Sequence, residues 1–435
     1  MTMGTSLRRC ALLAAGSLIA LAAGAGAASA EVKLGALMDI TGDLASFIPP
    51  LMDAVNLAVN EVNAQGGILG GQELVLVVGD SQATAQGAVD AATKLVNVDN
   101  VVAIMGALAS GSTIAAANAV TIPNGVLQVS PTATSPEMTT IEDNDFLFRV
   151  IPSDSYQGVA LAKMLLDNGI DTVALTYANN DYAVGIAGTF REAYLAAGGT
   201  ITGDQVHEPA KSSYRSELAT LASAGEAQAL VLIAYAGDSG VTIVRQSLEN
   251  GFFDRFIGTD GLRDNLLIQE IGAENLEGIM FSSPTSPPES TAGEKFEANY
   301  SAAYETTDDK FFIQQVYDAT FVIALAIERA GTTDRTAIRD ALREVANAPG
   351  EIIEPGEWAK AVELIAARAR PFDPRRYRNE YRATVLAMLR EKAAGRLPPE
   401  LAPPAVPEPT PVIDLTRRLR ESLERIQREE RRRAA

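Results

Sequence analysis

Cysteine and histidine are almost absent from this sequence. Its 435 residues hold one of each, Cys10 and His207. A Cys/His zinc site needs about four ligands, so none is available. A disulfide needs two cysteines. A Ser-His-Asp machine would have to run through His207 alone. The D-x-[DN]-x-[DN]-G calcium loop does not occur either. No metal, no cofactor and no enzymatic activity is expected. Basic residues are also scarce, 36 Lys and Arg against 55 Asp and Glu, for a formal net charge of −19. A chain that acidic is a poor nucleic-acid binder as a whole.

What is present is material for a folded protein. Hydrophobic residues make up 47% and charged residues 21%, which supports a buried core and excludes wholesale disorder. The length fits about three average domains of roughly 150 residues each. The charge is unevenly spread. From Ala366 onward there are 17 basic and 10 acidic residues, net +7, while the preceding residues carry 19 against 45, net −26. Such asymmetry suggests a different partner for each part.

The first thirty residues read as an export signal. Arg8 and Arg9 precede a stretch from Ala11 to Ala23 that is apolar but too short to span a membrane. Ala28-Ser29-Ala30 has the A-x-A cleavage pattern, so the mature chain is expected to begin at Glu31 without a cysteine. No further long apolar run follows, so no membrane span is expected in the mature chain, and its place is the periplasm.

From Val32 the pattern alternates between short apolar runs and segments with helical spacing. Strands are expected at 33–40, 73–78, 101–108 and 126–130, with helices at 50–62, 86–96 and 113–120 between them. The order then restarts. Strands are expected at 146–151, 172–177, 229–235, 256–258 and 278–282, and helices at 157–166, 184–197 and 241–250. Helices at 292–304, 312–330 and 335–348 complete the first unit. This order predicts an α/β fold of two lobes, each a parallel sheet covered by helices, with a cleft between them.

In open α/β sheets ligands bind beyond the carboxyl ends of the strands. There stand Ala109-Ser110-Gly111-Ser112-Thr113 and Ser130-Pro131-Thr132-Ala133-Thr134-Ser135-Pro136 from the first lobe. The second lobe offers Asp181-Tyr182, Tyr235 and Asp260. Each has a plain structural alternative: Ser110 or Ser112 as a helix cap, the second stretch as a simple turn, Asp260 as a turn former, the tyrosines as packing. Their convergence is what counts. Hydroxyl and N–H donors on one lobe face carboxylate and phenol on the other, which complements a zwitterion.

These stretches also carry a resemblance. KLGALMDITGDLASF, NEVNAQGGILGGQ, GALASGST, VSPTATSPE, FRVIPSDSYQG, DYAVG, GTDG and PGEWAKAVELIA resemble the periplasmic leucine/isoleucine/valine-type binding proteins of amino-acid ABC transporters, from Glu31 to about Ala361. The resemblance implies a type I, two-lobed, hinged fold that closes on an amino acid and presents it to the membrane permease of an ABC transporter. It implies that Ser110 and Thr134 hold the ligand carboxylate. Thr132 offers its carbonyl to the ammonium and Asp260 pairs with that charge. Asp154 matches a second cleft carboxylate, Phe47 an aromatic wall, and Tyr182 and Tyr235 the aromatics of the second lobe. Branched-chain binders often carry Glu where Asp260 stands, so the shorter arm leaves the choice of amino acid open.

Beyond about Ala361 the family's glycine-rich stretch and final strands are missing. The segment AVELIAARARPFDPRRYRNEYRATVLAMLREKAAGR and the later VIDLTRRLRESLER instead resemble the C-terminal region of bacterial Ku, without its DNA-encircling core. Between them, 397–411 holds seven prolines in fifteen residues, the composition of a semi-rigid linker. The expected organisation is therefore a signal at 1–30, a first lobe at 31–150 plus about 283–360, and a second lobe at 151–282. A Ku-like helical segment at 361–396, the linker at 397–411 and an amphipathic basic helix at 412–435 follow. The leading expectation is an extracytoplasmic solute-binding protein. The alternative, a DNA-repair accessory acting through the basic tail, is opposed by the acidic body and the export signal.

Overall fold

A computed structural model describes residues 31–285, 291–304 and 311–346. The expected signal at 1–30 and the segments at 361–396, 397–411 and 412–435 lie outside the described residues. Two five-stranded sheets, all parallel, organise the rest. This is the two-lobed α/β architecture that the alternating pattern predicts.

The first sheet has the order β2-β1-β3-β4-β5. Its strands are β1 (Glu31–Met38), β2 (Glu73–Asp80), β3 (Ala103–Gly106), β4 (Leu127–Ser130) and β5 (Leu147–Arg149). Three helices connect them: α1 (Ile48–Ala64), α2 (Ala85–Asn97) and α3 (Ser110–Ala116), the last running into a wide turn at Ala117–Thr121. Helix α1 starts on Pro49 and Pro50, which lack the N–H groups a first turn leaves unsatisfied anyway. It buries Ile48, Leu51, Ala54, Val55, Ala58 and Val59, a stripe at helical spacing. Helix α2 is capped by Thr84, whose Oγ1 accepts from Gly87 N at 3.0 Å.

The second sheet has the order β10-β9-β8-β6-β7. It contains β6 (Thr172–Ala178), β7 (Thr200–His207), β8 (Ala229–Ile233), β9 (Phe256–Gly258) and β10 (Met280–Phe281). Its helices are α4 (Asp154–Asp167), α5 (Asp181–Ala196), α6 (Arg215–Ser223), α7 (Val241–Asn250) and α8 (Asn265–Ile271). Strand β8, ALVLI, is buried at every residue because it is central and covered on both faces. Strand β7, helix α6 and helix α8 have no counterpart in the sequence expectation. The reason is visible for β7: TITGDQVH is an edge strand exposed or half-exposed along most of its length, so it lacks the apolar run of a central parallel strand.

The chain then returns to the first lobe through α9 (Thr291–Ala303), α10 (Ile313–Ala330) and α11 (Arg335–Ala346). Phe296, Tyr300, Val316, Ile323, Ile327, Ile338 and Leu342 share one core with Val32, Leu34, Leu51, Val55 and Leu127. Strand β5 is one edge of this sheet among the described residues. The guanidinium groups of Arg339 and Arg343, from α11, lie over Phe146 and Phe148 at 4.7 and 5.2 Å. Among the described residues, no helix is long and apolar enough to cross a membrane.

Candidate ligand-binding cleft

The cleft is assembled at the carboxyl ends of both sheets, and its frame begins with a buried acid. Asp39 follows β1 directly and is fully buried. Its Oδ2 accepts from Leu108 N at 2.7 Å and Ala109 N at 3.1 Å, and the Ser81 hydroxyl donates to its Oδ1. Burial raises its pKa, and these donors only partly oppose the rise. Asp39 thereby fixes the turn between β3 and α3. The sequence reading missed it; an acid directly after an apolar strand was the available signal.

The turn after β4 is tied to the same place. Ser130 Oγ donates to Ala107 O at 2.6 Å and accepts from Ala133 N at 3.0 Å. Thr132 Oγ1 donates to Leu108 O at 2.9 Å. Ser110 Oγ accepts from Ser135 N at 3.2 Å. The hydroxyls of this stretch thus cross-link two strand-end turns, more than a plain turn requires. Ser110 and Thr134 are each 1% exposed.

Two acids converge from the second lobe. Asp154 opens α4, which Ser153 caps by accepting from Ser155 N at 3.3 Å. Asp154 N donates to Thr134 O at 2.9 Å, and Arg149 Nη1 reaches the same carbonyl at 3.0 Å. Both carboxylate oxygens of Asp154 are buried without a hydrogen-bond partner among the described residues, as are Thr134 Oγ1 and Gln157 Oε1. Burial first, and then the charge of Asp260, drives the Asp154 pKa well above the carboxylate range; the nearby Thr134 hydroxyl and Arg149 oppose this. Asp260 is 5% exposed. Its Oδ1 accepts from Gln157 Nε2 at 2.5 Å and from the Tyr182 hydroxyl at 3.0 Å. Burial raises its pKa too, against those two hydrogen bonds. Gln157, one helical turn beyond Asp154, was not anticipated.

The tyrosines form a wall. Tyr182 and Tyr235 stack with ring centroids 5.1 Å apart and planes 8° from parallel. The Tyr182 hydroxyl also meets Thr259 Oγ1 at 2.7 Å and accepts from Gly261 N at 3.1 Å. Tyr235 packs against the cores of both lobes.

One cavity collects most of these groups. Phe47, Thr132, Tyr182, Tyr235 and Asp260 line it, together with Leu44, Leu51, Leu108, Gly261 and Phe312. Of the eight residues expected at a site, five therefore line the cavity. Ser110, Thr134 and Asp154 lie outside that lining, buried in the frame behind it. The aliphatic residues and Phe312 were missed, because a lone Leu or Phe in or beside an apolar segment reads as core. Their arrangement divides the cavity chemically. Leu44, Phe47, Leu51, Leu108 and Phe312 make an apolar wall from the first lobe, and Asp260 with the two phenols faces it.

His207 stands apart from this cavity. It is 3% exposed, and its Nδ1 and Nε2 pair with Thr176 Oγ1 at 2.8 Å and Ser239 Oγ at 2.9 Å. Burial pushes its pKa down to about 4. It is a satisfied, neutral core histidine. Among the described residues no cluster of His, Cys, Asp and Glu can hold a metal ion.

A two-lobed α/β protein with a cleft lined from both sheets is built to enclose a small molecule. The chain matches the periplasmic binding protein family over residues 31–358 and belongs to it. It is 30% identical to the Leu/Ile/Val-binding protein BraC3 of Rhizobium johnstonii, over 77% of this chain and 90% of the relative. It is 28% identical to a leucine-, isoleucine-, valine-, threonine- and alanine-binding protein of Pseudomonas aeruginosa, over 73% and 83%. Among solved structures, the leucine-binding protein LivK of Thermotoga maritima superposes with a TM-score of 0.65 at 27% identity, covering 72% of this chain and 87% of that one. The substrate-binding protein LivJ of Streptococcus pneumoniae, in complex with isoleucine, gives 0.64 at 28% identity, covering 72% and 88%. The family match ends at residue 358 and lends nothing to the Ku-like tail.

Proposed function

We propose that this chain is an extracytoplasmic solute-binding protein that captures an amino acid with an apolar side chain and delivers it to the permease of an ABC importer. The observation that carries the reading is the division of the cavity. An apolar wall from the first lobe faces a buried Asp260 whose side-chain donors among the described residues are the neutral Gln157 and Tyr182. A buried carboxylate without a cation is costly, and an α-ammonium supplies that cation. In this reading Asp260 pairs with the ammonium, with the Thr132 carbonyl and Asp154 beside it. Ser110 and Thr134, buried outside the lining, brace the strand-end turns toward which the ligand carboxylate points. Phe47 packs on the side chain, and Tyr182 and Tyr235 form the opposite wall.

The apolar wall carries no basic residue, so acidic side chains gain nothing there. The names of the relatives support branched-chain amino acids as the first to test. The reading includes cleavage after Ala30 and a periplasmic mature chain. The DNA-repair reading has only the tail sequence behind it. The test is a thermal-shift screen of the purified mature chain with each of the twenty amino acids. Ligand that binds only the folded state stabilises it by an amount that grows with the logarithm of its concentration over its dissociation constant, and so raises the melting temperature. A shift with aliphatic amino acids and none with aspartate or glutamate is expected. No shift with any of them refutes the reading.

A further inference from the structure

The lobes also touch outside the cavity. Ser46, in the turn before α1, donates its hydroxyl to Asp264 Oδ2 across the cleft. Asp264 is itself 8% exposed, and its other oxygen caps α8 by accepting from Leu266 N at 2.8 Å. Beside it, Arg263 lies over the Phe311 ring at 4.7 Å, again bridging the second lobe to the first. Phe311 in turn meets Phe47 with ring centroids 6.2 Å apart. None of Ser46, Arg263, Asp264 and Phe311 lines the cavity, yet Ser46 and Phe311 adjoin Phe47 and Phe312, which do.

We propose that Ser46–Asp264 and Arg263–Phe311 form a closure latch: a pair of cross-lobe contacts that hold the cleft shut and set ligand affinity without touching the ligand. The inference rests on the reading of the cleft as one that closes on its ligand. Opening leaves Asp264 in place as a helix cap and releases only its second oxygen to water, so the latch can disengage without unfolding either lobe. Apparent affinity scales with the fraction of protein in the binding-competent state. A latch that adjusts that fraction must act on every ligand by the same factor. A wall residue such as Phe47 acts differently on large and small side chains.

The variants Ser46→Ala and Arg263→Gln test this in the full mature chain, with leucine, valine and alanine as probes. Loss of a hydrogen bond to a charged group predicts a dissociation constant raised about tenfold for Ser46→Ala. The factor is the same for all three probes and falls mainly on the dissociation rate. The ligand-free melting temperature stays that of wild type. Unchanged dissociation constants in both variants, factors that differ between probes, or a matching loss of ligand-free stability each overturn the latch. Spin labels on cysteines introduced at exposed Thr93 and Asn168 report the closed population directly. If wild type binds none of the probes, the amino-acid reading fails, and these distances alone decide the latch. A closed population in ligand-free wild type that shrinks in both variants sustains it, and its absence overturns it.

Discussion

Replacing Asp260 with asparagine separates charge from shape in the cleft. The side chain keeps its volume and one carbonyl oxygen, which can still accept from Gln157 and Tyr182 as Asp260 Oδ1 does at 2.5 and 3.0 Å. What disappears is the negative charge. If that charge pairs with an ammonium, its loss weakens binding by about 1–3 kcal/mol, roughly a 5- to 150-fold rise in the dissociation constant. The ligand-free protein responds in the opposite direction. Burial raises the Asp260 pKa, so its ionisation works against folding as pH rises from the ordinary carboxylate value through the raised one. Asparagine removes that cost, and the variant should be at least as stable as wild type at pH 7.5, with the advantage vanishing in acid. Calorimetric titration with leucine gives the first quantity, and denaturant unfolding of ligand-free protein gives the second. An unchanged dissociation constant, or a loss of ligand-free stability equal to the loss of affinity, refutes the assignment.

Asp154→Asn should weaken binding less than Asp260→Asn, because Asp154 stands behind the cavity lining and its raised pKa already favours the neutral form; titration of both variants ranks them. His207→Gln should remove a pH dependence. A pKa held at about 4 instead of 6.5 contributes about 3 kcal/mol above pH 6.5, lost as pH falls from there to 4. The stability difference between wild type and variant, followed by urea unfolding, should therefore shrink by that amount on acidification; a constant difference contradicts the buried neutral imidazole. Leu230→Ala, in fully buried β8, should cost about 2–5 kcal/mol in the same assay. Deleting 397–435 should change neither binding nor stability by more than about 0.5 kcal/mol, the scale of surface changes; lost binding would overturn the separation of tail from binding function.

The sheets were legible because parallel strands covered on both faces carry apolar runs with no competing interpretation. ALVLI at 229–233 and AIMG at 103–106 are buried throughout. The same rule hid β7, whose edge position leaves TITGDQVH largely polar and half-exposed. Helices α6 and α8 bury little, Leu218 and Leu221 in one and Leu267 in the other, too few positions for a period to show. In the cleft, the polar members could be anticipated because hydroxyls and acids clustered at strand ends are unusual. The apolar wall could not. Leu44 comes from the turn before α1, Leu51 from α1 and Phe312 from the residue that precedes α10, and the packing of α1 against α10 helps bring them to one cavity. Asp39 was obscured for another reason. Two of its partners are backbone N–H groups some 70 residues away, which no side-chain pattern records, and the third is the Ser81 hydroxyl, 42 residues away.

Calorimetric titration of residues 31–435 against the twenty amino acids, one at a time, tests the central claim most directly. The account predicts binding in a 1:1 complex by a small group with apolar side chains, no binding by aspartate or glutamate, and a raised melting temperature for each ligand that binds. A folded chain that gives neither heat nor thermal shift with any amino acid contradicts it.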